Sequence, residues 1–408
     1  MAAREFFEIP RSFRLWSLVL IAVGVVSLIV GYFIYGAGDE HHNTRFWSTL
    51  LHNSVYFLLV VNAAMFFMCA TTLAMGGWQM TFRRVTEAIS AAVPVIGILT
   101  LIVLLTLVLG HKHHIYHWVD TEAVQQDSIL KGKTPFLNTT FFIVWTVLTI
   151  VGWSVLGWKM RRVSKEIDDN PPPDVAAGRR YIFRTTVWAS LFIVWFALTV
   201  MSTAPWLWLM SIDAHWYSTM YSWYSFASTF VAGIALITLF VVYLKNRGYL
   251  EYTNEEHLHD LGKFMFAFSI FWAYLWFSQY MLIWYANISE ETVYYQNRTK
   301  GIYSGVFWLS FLMNFLAPLL ILMRRGSKRN YTTITIMSLV IIFGHWLDFY
   351  QMVFASTQKE HVELGLFDFG IALGFVGIIL LVVGRQLNRY PMIARNHPFI
   401  KESVIHHT

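Results

Sequence analysis

The segment GHWLDFYQM at residues 344–352 places two ionisable side chains in an otherwise apolar stretch. His345 and Asp348 are three residues apart, so on a helix they share one face. Carboxylates and imidazoles relay protons, and a His–Asp pair can hold a proton near neutral pH. Ionisable groups at membrane depth are costly and therefore point to function. We predict that His345 and Asp348 belong to a proton path or a quinol site.

Other polar residues fall within or beside apolar stretches. The further candidates for this proton path or quinol site are His52, Asp368, Gln279, Tyr280 and Glu87. His52 and Asp368 lie near the ends of their stretches, so the alternative is that they are interfacial and contact water. For Glu87 the alternative is an ion pair with Arg83 or Arg84.

Histidine and cysteine patterns limit the cofactor chemistry. The segment HKHHIYHW at residues 111–118 resembles a metal cluster, but its spacing matches no tetrahedral motif, so we predict an interfacial turn and assign no metal ligand. Haem groups within a membrane need axial ligands, commonly histidine, and only His52 and His345 fall within apolar stretches. One haem bound by these two residues is an alternative, and a two-haem pattern is excluded. Cys69 is the only cysteine, which excludes a disulfide or an iron–sulfur motif within the chain.

The composition indicates which elements position these residues. Of the 408 residues, 56% are hydrophobic and 13% are charged, whereas about a quarter are charged in soluble domains. Roughly 20 apolar residues cross a bilayer as a helix. Lipid cannot form hydrogen bonds with the unpaired backbone groups at the edges of an open sheet. We therefore predict an all-α polytopic membrane protein of ten transmembrane helices. The ten apolar blocks are residues 14–38, 46–75, 85–110, 136–158, 181–204, 217–244, 262–286, 302–323, 332–355 and 364–387.

The basic residues predict the orientation of these helices. If the N-terminus is cytoplasmic, most of the 30 Lys and Arg residues fall in cytoplasmic segments. The basic residues left for the outer loops are Arg45, Lys112, Lys131, Lys133, Arg298, Lys300 and Lys359. By the positive-inside rule both termini are cytoplasmic. The loops are short, so residues 1–408 form a single integral-membrane domain, and the segment DDNPPPD at 168–174 separates the fourth and fifth helices.

A weak internal repeat is present. The segments KMRRVSK at 159–165 and LMRRGSK at 322–328 end the fourth and eighth helices. An offset of four helices predicts two four-helix bundles, helices 2–5 and 6–9, with two flanking helices and pseudo-repeat halves at about 46–204 and 217–355. The alternative is that Met-Arg-Arg is a common ending of membrane helices, since basic residues are expected there.

The ten helices, the absence of cofactor ligands and the segment QYMLIWYANISEET at 279–292 resemble the NrfD/polysulfide-reductase-like membrane subunits, and among them those of bacterial alternative complex III. That resemblance implies a place in a respiratory quinol:cytochrome c oxidoreductase of the bacterial inner membrane. It implies no cofactor in this chain, with c-type haems and iron–sulfur clusters in other subunits. The implied partners are a second NrfD-like membrane subunit, a periplasmic iron–sulfur subunit, multihaem and monohaem cytochrome c subunits, lipids and a terminal oxidase, but no nucleic acid.

The aromatic residues of the seventh helix occupy every side of it, which predicts an enclosed helix that contacts a partner subunit. The subunit-interface candidates are Trp276, Trp284, Tyr285, Glu290 and Glu291. No catalytic residue is assigned, and the expected role is structural and proton-conducting. Two alternatives stay open: a quinol-binding subunit of the same or a related oxidoreductase, and an independent secondary transporter, for which Pro94 and Pro318 would break helices near a site.

Overall fold

In a computed structural model, which describes residues 6–358 and 364–407, the chain is helical and no β-strand occurs in these two ranges. Ten of the described helices are long and apolar enough to cross a membrane, as predicted. They are α1 (Arg11–Gly36), α2 (Glu40–Leu73), α3 (Arg83–Leu109), α4 (Thr139–Asp169), α5 (Val175–Asp213), α6 (Met220–Asn246), α7 (Glu255–Ala286), α8 (Ser304–Leu322), α9 (Tyr331–Thr357) and α10 (Leu366–Arg389). Lys359, counted above for orientation, lies outside the described residues.

Most helix ends fall close to the predicted blocks, but three helices are longer. α4 continues to Asp169, α7 begins at Glu255, and α5 continues to Asp213. The added turns of α4 and α7 carry polar side chains. They remain helical because the backbone hydrogen bonds of a helix are formed within the helix itself. The start of α7 is also capped, since the Asn254 side chain accepts hydrogen bonds from two backbone N–H groups of the first turn. The predicted break in DDNPPPD lies between the end of α4 and Val175.

Three helices are irregular beside proline, and in α5 this is the π-helical turn Thr203–Leu209, which contains Pro205. In α3 the helix is interrupted between Ser90 and Val93, just before Pro94. In α8 a π-helical turn, Leu312–Leu316, precedes Pro318. Proline lacks a backbone N–H and crowds the preceding turn, which accounts for these irregularities. The predicted interruptions of the third and eighth helices are therefore present.

Helices α2 and α6 form the centre of the molecule and are the two most buried of the ten. α2 packs against α3, α5, α6, α9 and α10, and α6 packs against α7 and α9 as well. Neighbours along the chain also pack in sequence, α3 on α4, α4 on α5, α7 on α8 and α8 on α9. The most extensive pairing joins α1 to α10 at the periphery. The central helices thus provide enclosed surfaces for polar side chains.

The connections lie on two faces. We call the face that carries residues 6–10 and 390–407 the terminal face, and the opposite one the distal face. On the terminal face, the helix Ile400–Val404 packs against the turn Gly77–Thr81, where the Ser403 hydroxyl donates to the carbonyl oxygen of Trp78 over 2.5 Å. The short helices of the other connections are His117–Val119, Thr121–Gln126, Ser128–Lys133, Ser289–Thr299 and Arg325–Arg329.

Candidate functional site

Asp348 of α9 is buried between α6 and α7 and accepts three hydrogen bonds. The Tyr224 hydroxyl donates to Oδ1. The Ser228 hydroxyl donates to Oδ2 over 3.2 Å, and the Trp272 indole Nε1–H donates to the same oxygen over 3.1 Å. A carboxylate without water needs such donors, since a buried, unpaired charge is strongly disfavoured. The three donors make this position able to hold a negative charge.

His345 lies one turn from Asp348 on the same face of α9. Its Nδ1 is 2.9 Å from the Ser228 hydroxyl oxygen and 4.0 Å from Oδ2 of Asp348. The imidazole also packs edge-on against Trp272, with the ring centroids 5.4 Å apart. Its Nε2 is buried and has no hydrogen-bond partner within residues 6–358 and 364–407. Ser228 therefore links the imidazole to the carboxylate, and a proton can pass between them through one hydroxyl group.

Five residues, Asp348 included, form the site around the buried carboxylate, and two of them were predicted from the sequence. His345 and Asp348 were predicted from their spacing, and they do share one environment. Tyr224, Ser228 and Trp272 were not assigned to it, although Trp272 lies in the aromatic seventh helix. Tyr224 and Ser228 are four residues apart, so a polar stripe on the apolar sixth helix was the available signal. We call these five residues the Asp348 cluster.

Aromatic rings connect the Asp348 cluster with the distal face. The Tyr224 and Tyr221 rings are 6.4 Å apart, and Tyr221 and Tyr294 are 6.5 Å apart. Tyr294 stacks on Trp216 at 3.9 Å, and both line a distal cavity of about 700 Å³. Burial raises the pKa of Tyr294 to about 12, so its phenol stays protonated at neutral pH. A column of tyrosines thus separates the buried acid from a cavity at the distal face.

Arg298 is buried beside this cavity, although its position in the sequence predicted only a basic residue of an outer loop. Its guanidinium donates to the backbone oxygens of Tyr294 and Gln351 over 2.9 and 3.1 Å, and to the Ser356 hydroxyl over 2.9 Å. Ser356 in turn donates to the Asp213 carboxylate. The guanidinium also lies 3.5 Å from the centre of the Tyr294 ring. These bonds hold the helix Ser289–Thr299 against α9.

His52 and Asp368 do not contact water, so the interfacial interpretation of these two residues is wrong. Both side chains are 0% exposed, because α9 and α10 cover this part of α2. The His52 Nε2–H donates to the carbonyl oxygen of Trp346 over 2.9 Å. Asp368 accepts from the Thr49 hydroxyl over 2.6 Å and from the Gly365 N–H over 3.0 Å. Asp368 therefore stabilises the start of α10 and fastens it to α2.

Glu87 is part of a buried charge cluster near the terminal face. One carboxylate oxygen lies 2.5 Å from Arg84, and the other lies 3.4 Å from Arg83. Ser164 of α4 donates to Glu87 over 2.5 Å, and Arg84 also pairs with Asp168 at the end of α4. The ion pair that was the alternative interpretation of Glu87 is therefore present. It joins the start of α3 to the end of α4.

Gln279 and Tyr280 lie in the distal part of α7. The Gln279 side chain is buried, and in the described part of the chain its Nε2 has no hydrogen-bond partner. Tyr280 packs edge-on against Tyr295 at 5.1 Å. Of the interface candidates, Trp276 packs within the chain, 5.0 Å from Phe307 and 4.9 Å from Phe311.

The other interface candidates are exposed. Trp284 and Tyr285 are 65% and 83% exposed at the distal end of α7, and Glu290 and Glu291 are exposed in the first turn of Ser289–Thr299. Helix α7 is therefore enclosed by α6 and α8 on one side and uncovered on the other within this chain.

A comparison with protein families gave no match, and a comparison with curated proteins gave none. The Asp348 cluster and the sequence resemblance are therefore the grounds on which a role is assigned.

Proposed function

We propose that the chain is the cofactor-free membrane subunit of a respiratory quinol:cytochrome c oxidoreductase, corresponding to the ActF subunit of alternative complex III in the bacterial inner membrane. Its role is structural and proton-conducting. The resemblance of residues 279–292 and the ten membrane-length helices support this assignment. The observation that carries the proton-conducting role is the burial of Asp348 among donors from two helices, with His345 beside it.

In this proposal, Asp348 accepts a proton and His345 shares it through Ser228. Oxidation of a quinol releases two electrons and two protons, so an acceptor for the protons is required. Electrons leave through iron–sulfur and haem groups in other subunits, and protons move through side chains of this one. The tyrosines between Asp348 and the distal cavity support a proposed exchange of protons with water at the distal face. That face is periplasmic if both termini are cytoplasmic, as the basic residues predict.

The same proposal includes two four-helix bundles. Packing of α2 on α3, α3 on α4, α4 on α5 and α5 on α2 supports the first bundle. Packing of α6 on α7, α7 on α8, α8 on α9 and α9 on α6 supports the second. The Asp348 cluster then belongs to the second bundle, while α2 joins the two through its contacts with α6 and α9.

Replacement of Asp348 by Asn tests the proton-conducting role. The amide keeps the size of the side chain but does not take up a proton at neutral pH. We expect proton-coupled turnover of the reconstituted complex to fall by about tenfold or more, with assembly unchanged. Proton release and uptake, measured in liposomes with a pH-sensitive dye, is the readout.

Asp368→Asn is the matched control, since Asp368 caps α10; it should lower thermal stability and leave proton coupling intact. Unchanged proton movement in Asp348→Asn would reduce Asp348 to a structural residue. A raised KM for quinol would instead favour a quinol-binding subunit.

A quinol-binding role is the second candidate, favoured by an apolar groove of about 680 Å³ between α1, α2, α3 and α10. The groove suits the isoprenoid tail of a quinol as well as a lipid chain. Purification in mild detergent, followed by mass spectrometry, separates these roles from an independent transporter. A stable complex with multihaem and iron–sulfur proteins is expected. Isolation as a haem-free homo-oligomer would contradict both subunit roles.

A further inference from the structure

Three side chains with metal-binding atoms meet on the distal face. Glu40 is the first residue of α2, and His113 and His114 lie in the turn after α3. One ligand atom from each of the three lies within 4.8 Å of the others. We propose that Glu40, His113 and His114 bind one divalent transition-metal ion, zinc or a chemically similar ion, beside the distal cavity.

The backbone on both sides of this site is held in place. Asp39 caps α2, since its carboxylate accepts from the His42 N–H over 3.0 Å, and this sets Glu40 at the helix start. After α3, His111 adopts a left-handed conformation with φ of 47°, and the Lys112 N–H donates to the carbonyl oxygen of Leu107 over 3.0 Å. The turn therefore presents His113 and His114 toward Glu40 before any ion binds.

The two imidazoles offer nitrogen atoms for coordination. The His113 Nδ1 lies 3.2 Å from the carbonyl oxygen of His111. A hydrogen bond from Nδ1–H to a backbone carbonyl places the lone pair on Nε2, which is the usual arrangement for a metal-bound histidine. The Nε2 of His114 is buried and has no hydrogen-bond partner among the residues that the structure describes. A buried polar atom without a partner is costly, and a bound ion would satisfy it.

The separation of the three ligand atoms requires only a small adjustment. With metal–ligand bonds near 2.1 Å, the ligand atoms of a tetrahedral site are about 3.4 Å apart. The side chains of Glu40 and His113 are exposed, so they can rotate toward an ion without displacing the core.

The ligand set selects the class of ion. Two imidazoles and one carboxylate suit zinc, copper, nickel or iron, whereas calcium and magnesium prefer oxygen ligands. Three protein ligands leave a fourth position open, as in zinc sites that also bind water or a small molecule. His114 lines the distal cavity together with His41 and His117. A fourth ligand can therefore reach the ion from the cavity.

The spacing of the histidine-rich turn alone could not indicate this site. Glu40 precedes His113 by more than seventy residues and is the first residue of α2. The third ligand becomes apparent only when α1, α2 and α3 are packed. A bound ion would join the start of α2 to the connection after α3.

Zinc binding by the full chain tests the proposal. The chain is purified in mild detergent, treated with chelator and dialysed against Zn²⁺, and bound zinc is measured by elemental analysis and by competition with a chromophoric chelator. We expect one zinc ion per chain, and at least about tenfold weaker binding in His114→Ala, His113→Ala and Glu40→Gln. Substitution with Co²⁺ should give visible absorption bands of a low-coordinate site.

His111→Asn is the matched control, since it removes a histidine of the same turn at a position where Asn tolerates the left-handed backbone. It should bind zinc as the wild type does. Glu40 is exposed, so Glu40→Gln distinguishes loss of a ligand from loss of folding, which size-exclusion chromatography monitors. Absence of saturable zinc binding by the wild type, or wild-type affinity in all three ligand variants, would overturn the proposal.

Discussion

At the scale of residues, Asp348 is defined by its donors. Its carboxylate lies among apolar helices, yet Tyr224, Ser228 and Trp272 each donate to it. Trp272 belongs to the aromatic seventh helix, so one of the rings that made this helix unusual has a polar contact inside the protein. Hydrogen bonds to charged groups are worth more than those between neutral groups. The donors are therefore as important to the site as the acid.

Tyr224→Phe is expected to destabilise the protein by about 1–3 kcal/mol, because it removes one donor and leaves the buried carboxylate less satisfied. Proton-coupled turnover should fall as well. Thermal unfolding in detergent and turnover of the reconstituted complex are the measurements. Tyr217→Phe, which removes the hydroxyl of a tyrosine that is 60% exposed, is the control and should match the wild type. Equal behaviour of the two variants would contradict a role for Tyr224 at Asp348.

Part of this site was predictable from local spacing. His345 and Asp348 share a face because they are three residues apart on one helix. Tyr224 lies 124 residues before Asp348, and its contact depends on how α6 packs against α9. Asp368 was also mispredicted from local sequence. Its position suggested contact with water, but packing against α2 buries it completely. Local periodicity gives the face of a helix, whereas the partner of that face depends on the tertiary packing.

At the scale of elements, α1 and α10 pack closely because small residues line their contact. A Cβ atom added at Gly24 would lie 2.4 Å from the Cα of Gly374. A Cβ atom at Gly377 would lie 2.8 Å from the backbone of α1. Small residues spaced by four, such as Gly370 and Gly374, let membrane helices approach closely and gain van der Waals contact. This contact accounts for the position of two helices that are otherwise peripheral.

Gly24→Ala is expected to lower the free energy of unfolding by about 1–3 kcal/mol, because the added methyl group separates the two backbones. Gly305→Ala is the matched control: it also replaces a helical glycine, but nothing lies within 4 Å of its added Cβ. Alanine has the higher helix propensity at both positions, so destabilisation at Gly24 alone reports packing. Thermal unfolding in detergent measures it, and equal melting temperatures would refute the close contact.

At the scale of the whole molecule, the number and type of the membrane helices followed from composition. A helix that crosses a bilayer needs a long apolar segment, and such segments can be recognised in a sequence from hydropathy. The extra turns of α4 and α7 were missed because helices outside lipid carry no hydropathy signal. The extension of α5 was missed because it continues through the irregular turn Thr203–Leu209, which contains Pro205.

Reversal of charge at Glu290 and Glu291 is expected to weaken association with the outer subunits of the proposed complex. Both carboxylates are exposed at the distal face, beside Trp284 and Tyr285. The measurement is the amount of haem and iron–sulfur protein that copurifies with Glu290→Lys/Glu291→Lys. Glu122→Lys changes another exposed acid of the distal face and is the control. Undiminished copurification would place the interface elsewhere.

The pairing of α1 with α10 also bears on how the protein is made. The ribosome releases α1 before the other nine membrane-length helices, so α1 enters the bilayer long before its main partner exists. Until then it is surrounded by lipid, and its strongly apolar sequence is stable in that environment. α10 is similarly apolar and arrives last. Closure of the α1–α10 contact is therefore a late event in biosynthesis, and a substitution at Gly24 should reveal itself as a delay in maturation before it affects the finished protein.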